Sequence, residues 1–268
     1  MPHAIWRGTI SFGLVTIPVS LMPAEQPREL AFHLLDGRDM SAVHNRRVNE
    51  AGSEVPWENV VKGFEVSEGR WVVVTDDDLR AANVEATQTI DVLAAVCADE
   101  IDPKYFDKPY YLQPEKAGRK AYALLREALK REKRVALAKV VVRTRQHLAA
   151  LVPDGDVLLL EMLRYPYELR DATSLDLPGS DLADSGVTDA EIALAGQLVA
   201  TIAKPFEPDA PEYRDTYRDD LLALIAAKAE GVAAAAPAST AEAPAGGEVV
   251  DIVALLKRSL DDARRAQG

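Results

Sequence analysis

Residues 116 to 147 gather eleven Lys or Arg (Lys116, Arg119, Lys120, Arg126, Lys130, Arg131, Lys133, Arg134, Lys139, Arg143, Arg145) against two acids, Glu127 and Glu132. That window carries about +9 in a chain whose formal net charge is -12, so the remainder stands near -21. Cations concentrated in this way neutralise phosphates and release their counterions. Lys139, Val141, Arg143 and Arg145 fall at alternate positions, so a strand would point three cations to one side. A row of that kind follows a phosphate backbone, but it also protects an edge strand, and charge alone leaves both readings open. A second basic group runs through Arg38, His44, Arg46 and Arg47 to Lys62 and Arg70. A Pro-rich link adds Lys104 and Lys108 beside Tyr105, Tyr110 and Tyr111. No base-reading helix, zinc finger or aromatic RNA platform accompanies them, so any nucleic acid would be held by its backbone, independently of sequence.

Other chemistries lack their residue patterns. His3, His33, His44 and His147 are far apart and none has HExxH spacing, so no metal site is expected. No GxxxxGK[ST] loop, GxGxxG turn or GxSxG elbow occurs. No catalytic residue and no cofactor is assigned, and a non-enzyme is expected. Asp76, Asp77 and Asp78 follow Thr75 at capping-box spacing and read as a helix start rather than a metal site. The lone Cys97 excludes an internal disulfide framework, fits a reducing compartment and reads as a small core residue.

The elements that must position these cations follow from periodicity. In "AIWRGTISFGLVTIPVSL", residues 4 to 21, Ile10, Phe12 and Leu14 alternate with Thr9, Ser11 and Gly13. The stretch reads as two strands around a bend at Gly13, the second ending at Pro23. Its Gly, Ser, Thr and Pro interruptions exclude a signal peptide, no apolar run reaches membrane-spanning length, and a cytoplasmic protein is expected. "ELAFHLLD" and "RWVVVT" are further strand candidates around a polar basic excursion. "KAGRKAYALLREALKREKR" predicts a helix with Ala121, Leu124, Leu125, Ala128 and Leu129 as its apolar stripe. "VALAKVVVRTRQHLAALVPDGDVLLLEML" then predicts strand, strand, Pro-Asp-Gly turn and strand.

Beyond residue 170 the chain becomes helical and acidic. Thr188 and Glu191 form a second capping box leading into Ile192, Ala195, Leu198, Val199 and Ile202. After a Pro-rich break, Tyr213, Tyr217, Leu221, Leu224 and Ile225 share one predicted face. Residues 231–247 are an Ala/Pro/Gly linker reaching roughly 20 to 25 Å, and a short amphipathic segment follows.

In order along the chain, "AIWRGTISFGLVTIPVSL", "VVKGFEV", "RWVVVTDDDL", "TIDV", "EIDPKYFDKPYYLQP", "AYALLREAL" and "LEMLRYPYELR" closely resemble bacterial Ku, the DNA-end-binding family of non-homologous end joining. The resemblance runs from about residue 3 to 230, with a weaker echo at 249 to 265. It implies an α+β, mainly β fold: a Ku-type β-barrel with a projecting bridge excursion and a helical C-terminal arm. The implied domains are a core at 1–187 including an excursion at about 33–75, an arm at 188–230 for dimerisation, the linker at 231–247, and a ligase-interaction segment at 248–268.

The resemblance further implies a homodimeric ring that threads onto double-stranded DNA ends, acts in double-strand break repair, and associates with the nucleoid. Interior cations would face the duplex and acids the outside. Carried over residue by residue, the expected phosphate contacts are Arg7, Arg46, Arg47, Lys62, Lys108, Arg143 and Arg145, with Arg126, Lys130 and Lys133 weaker. Ile192, Leu198, Tyr213, Tyr217, Leu221 and Ile225 are expected at the dimer contact. Val249, Ile252, Val253, Leu256 and Leu260 would offer one apolar face to the multifunctional end-joining DNA ligase. Two departures stand out. Cysteines that some relatives carry in the excursion are absent from "RRVNEAGSEV", so no zinc is expected, and after "DDARRAQG" no Lys-rich tail of the kind many relatives carry is expected. The competing reading is an acidic protein-interaction scaffold without DNA-end specificity.

Overall fold

A computed structural model describes all residues except 1–2, 27, 29, 83–87, 144, 180, 183, 231–251 and 267–268. The chain falls into two compact units, Met1–Asp171 and Ala172–Gly268.

In the first unit, β1 (Trp6–Phe12) and β2 (Val15–Pro23) form a hairpin whose turn places Gly13 at φ +59, a conformation open to glycine without a Cβ clash. β3 (Lys62–Ser67) and β4 (Arg70–Val74) make a separate two-stranded sheet, followed by α1 (Asp76–Ala82). β5 (Thr89–Cys97), β6 (Phe106–Pro114), α2 (Arg119–Glu132), β7 (Arg134–Val142), β8 (Arg145–Asp154) and β9 (Val157–Leu163) complete the unit. Seven strands close a barrel in the order β1-β2-β6-β9-β8-β7-β5. Every neighbouring pair is antiparallel except β1 and β5, which run parallel from Thr9↔Thr89 to Ser11↔Asp91. Gly8 sits at this seam, where a Cβ would lie 2.1 Å from the Gln88 carbonyl oxygen.

Alternation fills the barrel. Ile10, Ile17, Val19, Leu21, Ile90, Leu112, Val140, Leu151, Leu158 and Leu160 are fully buried, each contributing about 1.5 to 3 kcal/mol. Tyr122, Leu125 and Leu129 of α2 join the same core at i, i+3, i+7 spacing. The expected stripe is thereby rotated: Leu124 is 69% exposed and Tyr122 is buried in its place. The cause is polar. The Tyr122 hydroxyl donates to the Leu112 carbonyl at 2.8 Å and accepts the Leu158 amide at 2.6 Å, relaying a bond between β6 and β9.

Two further expectations are corrected. The Pro-rich link is largely β6, a central barrel strand. Pro109 lies opposite Glu161, and a bulge between Phe106 and Lys108 absorbs the irregularity that makes the stretch read as a loop. "ELAFHLLD" forms no strand among its described residues, only an isolated bridge between Leu35 and Ala42, because no barrel neighbour receives it.

The second unit contains α3 (Asp189–Ile202), α4 (Thr216–Ala229) and α5 (Ile252–Ala266). The Thr188 and Glu191 capping box is formed, with the Glu191 amide donating to Thr188 Oγ1 at 3.3 Å and the Thr188 amide to Glu191 Oε2 at 2.8 Å. α5 packs along α3. Among the described residues beyond Asp171, Leu260 is the one apolar side chain that is fully buried.

Candidate nucleic-acid interface

Strand direction decides which cations meet. β1, β5, β6 and β8 start, and β2, β7 and β9 end, at one rim of the barrel, as the registers Arg7↔Ser20, Thr9↔Thr89, Ile90↔Val140, Val142↔Arg145, Leu148↔Leu163 and Lys108↔Met162 require. Arg7, Lys108, Arg143 and Arg145 therefore share that rim. Arg7 and Arg143 lie at the same level two strands apart, roughly 10 Å at the usual strand spacing. The excursion leaves the barrel after Pro23 and returns at Thr89, both at this rim.

The expected cation row along one strand is not formed. β7 ends at Val142, Arg143 occupies the turn at φ +60, and Arg145 opens β8 opposite Val142. Lys139 stays outward on β7 beside Asp91 of β5, while Val141 is buried. A tight hairpin replaces the continuous strand, so Arg143 and Arg145 flank a turn.

The rim cations differ in what holds them. Arg7 and Arg143 are exposed and carry no ion pair or hydrogen bond among the described residues. Lys108 pairs with Glu25 at 3.0 Å, which raises its pKa. Arg145 pairs with Glu168 at 2.5 Å and reaches the Tyr167 hydroxyl at 3.5 Å. In the excursion, Arg46 pairs with Glu54 at 3.2 Å and Lys62 with Asp76 at 2.6 Å, while Arg47 stacks over Trp57 at 4.3 Å from the ring centroid. Exposed pairs of this kind are weak, so a phosphate would compete with them easily.

Sequence reasoning passed over the rest of this rim. Arg164 is held by Asp107 and by the carbonyls of Lys104 and Phe106. Tyr165 and Tyr167 stack with centroids 5.4 Å apart. His147 is half-buried beside Arg145; burial first, and that guanidinium second, lower its pKa, against smaller opposing effects of Glu168 and Asp107. The Tyr165 amide and Arg145 hold the Glu168 carboxyl below the usual range. The signal was "LRYPYELR", a charged aromatic stretch directly after an apolar strand.

The α2 cations gather at the opposite rim. Arg126 donates to the Asp156 carbonyl and pairs with Glu127 at 2.9 Å, and Lys130 donates to the Gly155 carbonyl. Both fasten the β8–β9 turn, a structural task. Lys133 is exposed and ends α2 in the left-handed region at φ 52.

Within the excursion, every residue of β3 is exposed, including Phe64 and Val66; on β4, Trp71, Val72 and Val73 are exposed too. In the second unit, Ile192, Tyr213, Tyr217 and Ile225 are exposed and Leu198 and Leu221 half-buried. Tyr213 lies in a 3-10 turn ahead of α4, against Phe206 with centroids 5.6 Å apart. Ile252 is exposed, Val253 and Leu256 are half-buried and Leu260 is buried; Val249 lies outside the described residues, as does the linker. Among the described residues, no three His, Cys, Asp or Glu converge as metal ligands, and no helix is long and apolar enough to cross a membrane.

The Ku70/Ku80 beta-barrel domain family matches residues 11–194, from the end of β1 through the other barrel strands and the excursion to the start of α3. The chain belongs to the Ku family. A protein of Opitutus terrae called "Non-homologous end joining protein Ku" is 43% identical over 97% of this chain and 91% of its own length. Proteins with the same name from Cupriavidus necator and Pseudomonas aeruginosa are each 44% identical over 97% of this chain, and over 78% and 88% of their own lengths. The match therefore continues past residue 194 through α4 and into α5. The solved SPOC domain of human PHD-finger protein 3 aligns with 60% of this chain and 97% of its own at 12% identity. Its TM-score of 0.32 is too low to bear on the fold.

Proposed function

We propose that this Ku-family chain acts in double-strand break repair by non-homologous end joining, as a homodimeric ring that binds double-stranded DNA ends irrespective of sequence and recruits a DNA ligase. The observation that carries the reading is the gathering of Arg7, Lys108, Arg143 and Arg145 on the rim from which the excursion departs. Among the described residues two of these cations have no partner, Lys108 is held by the exposed Glu25, and Arg145 by the exposed Glu168 and the Tyr167 hydroxyl, so the rim offers charge to phosphate at little cost. Nothing in it reads a base edge, which favours sequence-independent contact.

Dimerisation is supported by apolar surface left uncovered. A two-stranded sheet is marginal alone, yet β3 and β4 expose Phe64, Trp71, Val72 and Val73. α3 and α4 contain no fully buried side chain, while Val199, Ile202, Tyr217 and Ile225 face solvent. Surface of this kind marks an interface, and a second copy is the occupant expected within this family. End selectivity then follows from topology, since a closed ring cannot load onto a circle.

Gel shifts on linear and relaxed circular DNA of one sequence test the reading. Binding to the linear form alone is expected. Equal binding to the circle removes the end-binding ring, and binding to neither favours the acidic scaffold.

A further inference from the structure

α5 has one apolar row, Val253, Leu256, Leu260 and Ala263, at i, i+3, i+7, i+10 spacing. All four are half-buried or buried, whereas Ile252 and Leu255 on the flank are 61% and 49% exposed. α5 packs along α3, and Val253 of the row lies against it. Val253 and Lys257 share a cleft with Thr188, Ala190, Glu191, Ala193, Leu194 and Gln197. The small side chains at Ala190 and Ala193 permit close approach, and Glu191 gives Lys257 an opposite charge on the same wall. At 100° per residue, Ala190, Ala193, Leu194 and Gln197 occupy one side of α3, and Ile192 and Val199 the other. Docking of α5 thus leaves the exposed apolar side of α3 available to another copy.

We propose that α3 is the resting dock of α5: the chain stores its own C-terminal helix there, and a partner that reads Val253, Leu256 and Leu260 must first displace it. This rests on the reading of residues 248–268 as the ligase-recruiting segment, and adds that recruitment is gated by an intramolecular contact. The dock is specific in chemistry, accepting a short amphipathic helix with a narrow aliphatic row. Leu260, on the same row, is 5% exposed while α3 and α4 bury none of their own side chains, so it is the most buried apolar side chain among the described residues of the second unit. Displacement of α5 would also uncover Leu194 and its neighbours, so recruitment would expose a new apolar strip on the arm.

The test uses the full-length protein with Leu194→Glu, which alters the dock without touching α5 or the Ile192 side of α3. Amide hydrogen exchange of residues 252–266 reads the dock, and titration with a purified end-joining ligase reads recruitment. Expected are exchange in α5 at least tenfold faster than in the wild type and roughly tenfold tighter ligase binding. Unchanged exchange overturns the dock. Faster exchange with unchanged ligase affinity overturns the gate. If neither protein binds ligase, the recruitment reading fails and the gate with it, while exchange still judges the dock. Should Leu194→Glu disturb α3, seen as faster exchange across 189–202, Leu260→Ala replaces it for the exchange arm. Acceleration confined to α5 supports the dock, and its absence overturns it.

Discussion

Replacing Arg7 by Gln and Arg143 by Gly removes two rim cations that have no ion pair among the described residues and leaves the rim's ion pairs in place. Gly is chosen at 143 because the turn holds φ at +60, where Gly is unstrained and Ala is not. Each phosphate contact contributes about 0.9 to the slope of log K against log salt. Losing two contacts should flatten the slope by about 1.8 where one protomer meets the duplex, and by about 3.6 where both protomers of a ring do. Referred to 1 M salt, the smaller change corresponds to about 60-fold weaker end binding at 0.1 M and about 20-fold at 0.2 M. Fluorescence anisotropy with a hairpin-capped duplex carrying one open end, repeated at five salt concentrations, measures both slope and affinity. The loss should be the same for duplexes of unrelated sequence. A slope within about 0.3 of the wild type shows that neither side chain meets phosphate, and the rim then ceases to be the interface.

Tyr122→Phe removes the hydroxyl that relays β6 to β9 and leaves the buried Leu158 amide without that acceptor; a loss of about 2 to 4 kcal/mol is expected in urea unfolding, and a loss below about 0.5 refutes the relay. Burial and the neighbouring Arg145 lower the pKa of His147 in the folded protein, so stability should fall as pH drops below about 6.5, where the unfolded chain takes up a proton more readily. His147→Gln should flatten the pH 7 to 5 portion of that profile, leaving a separate loss on further acidification, below the ordinary carboxylate pKa, from Glu168, whose lowered pKa stabilises the fold only while it is ionised. Tyr217→Asp with Ile225→Asp puts charge on the exposed arm surface and should halve the solution mass measured by light scattering; an unchanged mass assigns the dimer contact elsewhere.

Much of the barrel could be read from residue order. The hairpin around Gly13, the strand–strand–turn–strand run to Leu163 and the capping boxes at Thr75 and Thr188 all follow from local chemistry, and all form. The misreadings came from tertiary effects. β6 contains two prolines and becomes a strand because β2 and β9 both accept it. The α2 stripe turns because a tyrosine hydroxyl finds two backbone groups that belong to distant strands. The cation row assumed a continuous strand, whereas Arg143 lies at a turn that no periodicity marks. Residue spacing gave no means of placing Arg7 beside that turn, since the two meet only once β1 pairs in parallel with β5.

That parallel seam also bears on how the barrel assembles. β7, β8 and β9 join through short connections, whereas the seam brings Thr9 to Thr89 across the whole excursion and is secured by three residue pairs. Closing a loop about eightfold longer than a local one costs roughly 2 kcal/mol more in chain entropy, so the meander should form early and the seam late. Of the two long-range joins, this seam and the pairing of β2 with β6, the seam has the fewer residue pairs and should be the first to open. Breathing of the native barrel is thus directed to the junction of β1 with β5, and the strand that carries Arg7 should be the one whose amides exchange soonest.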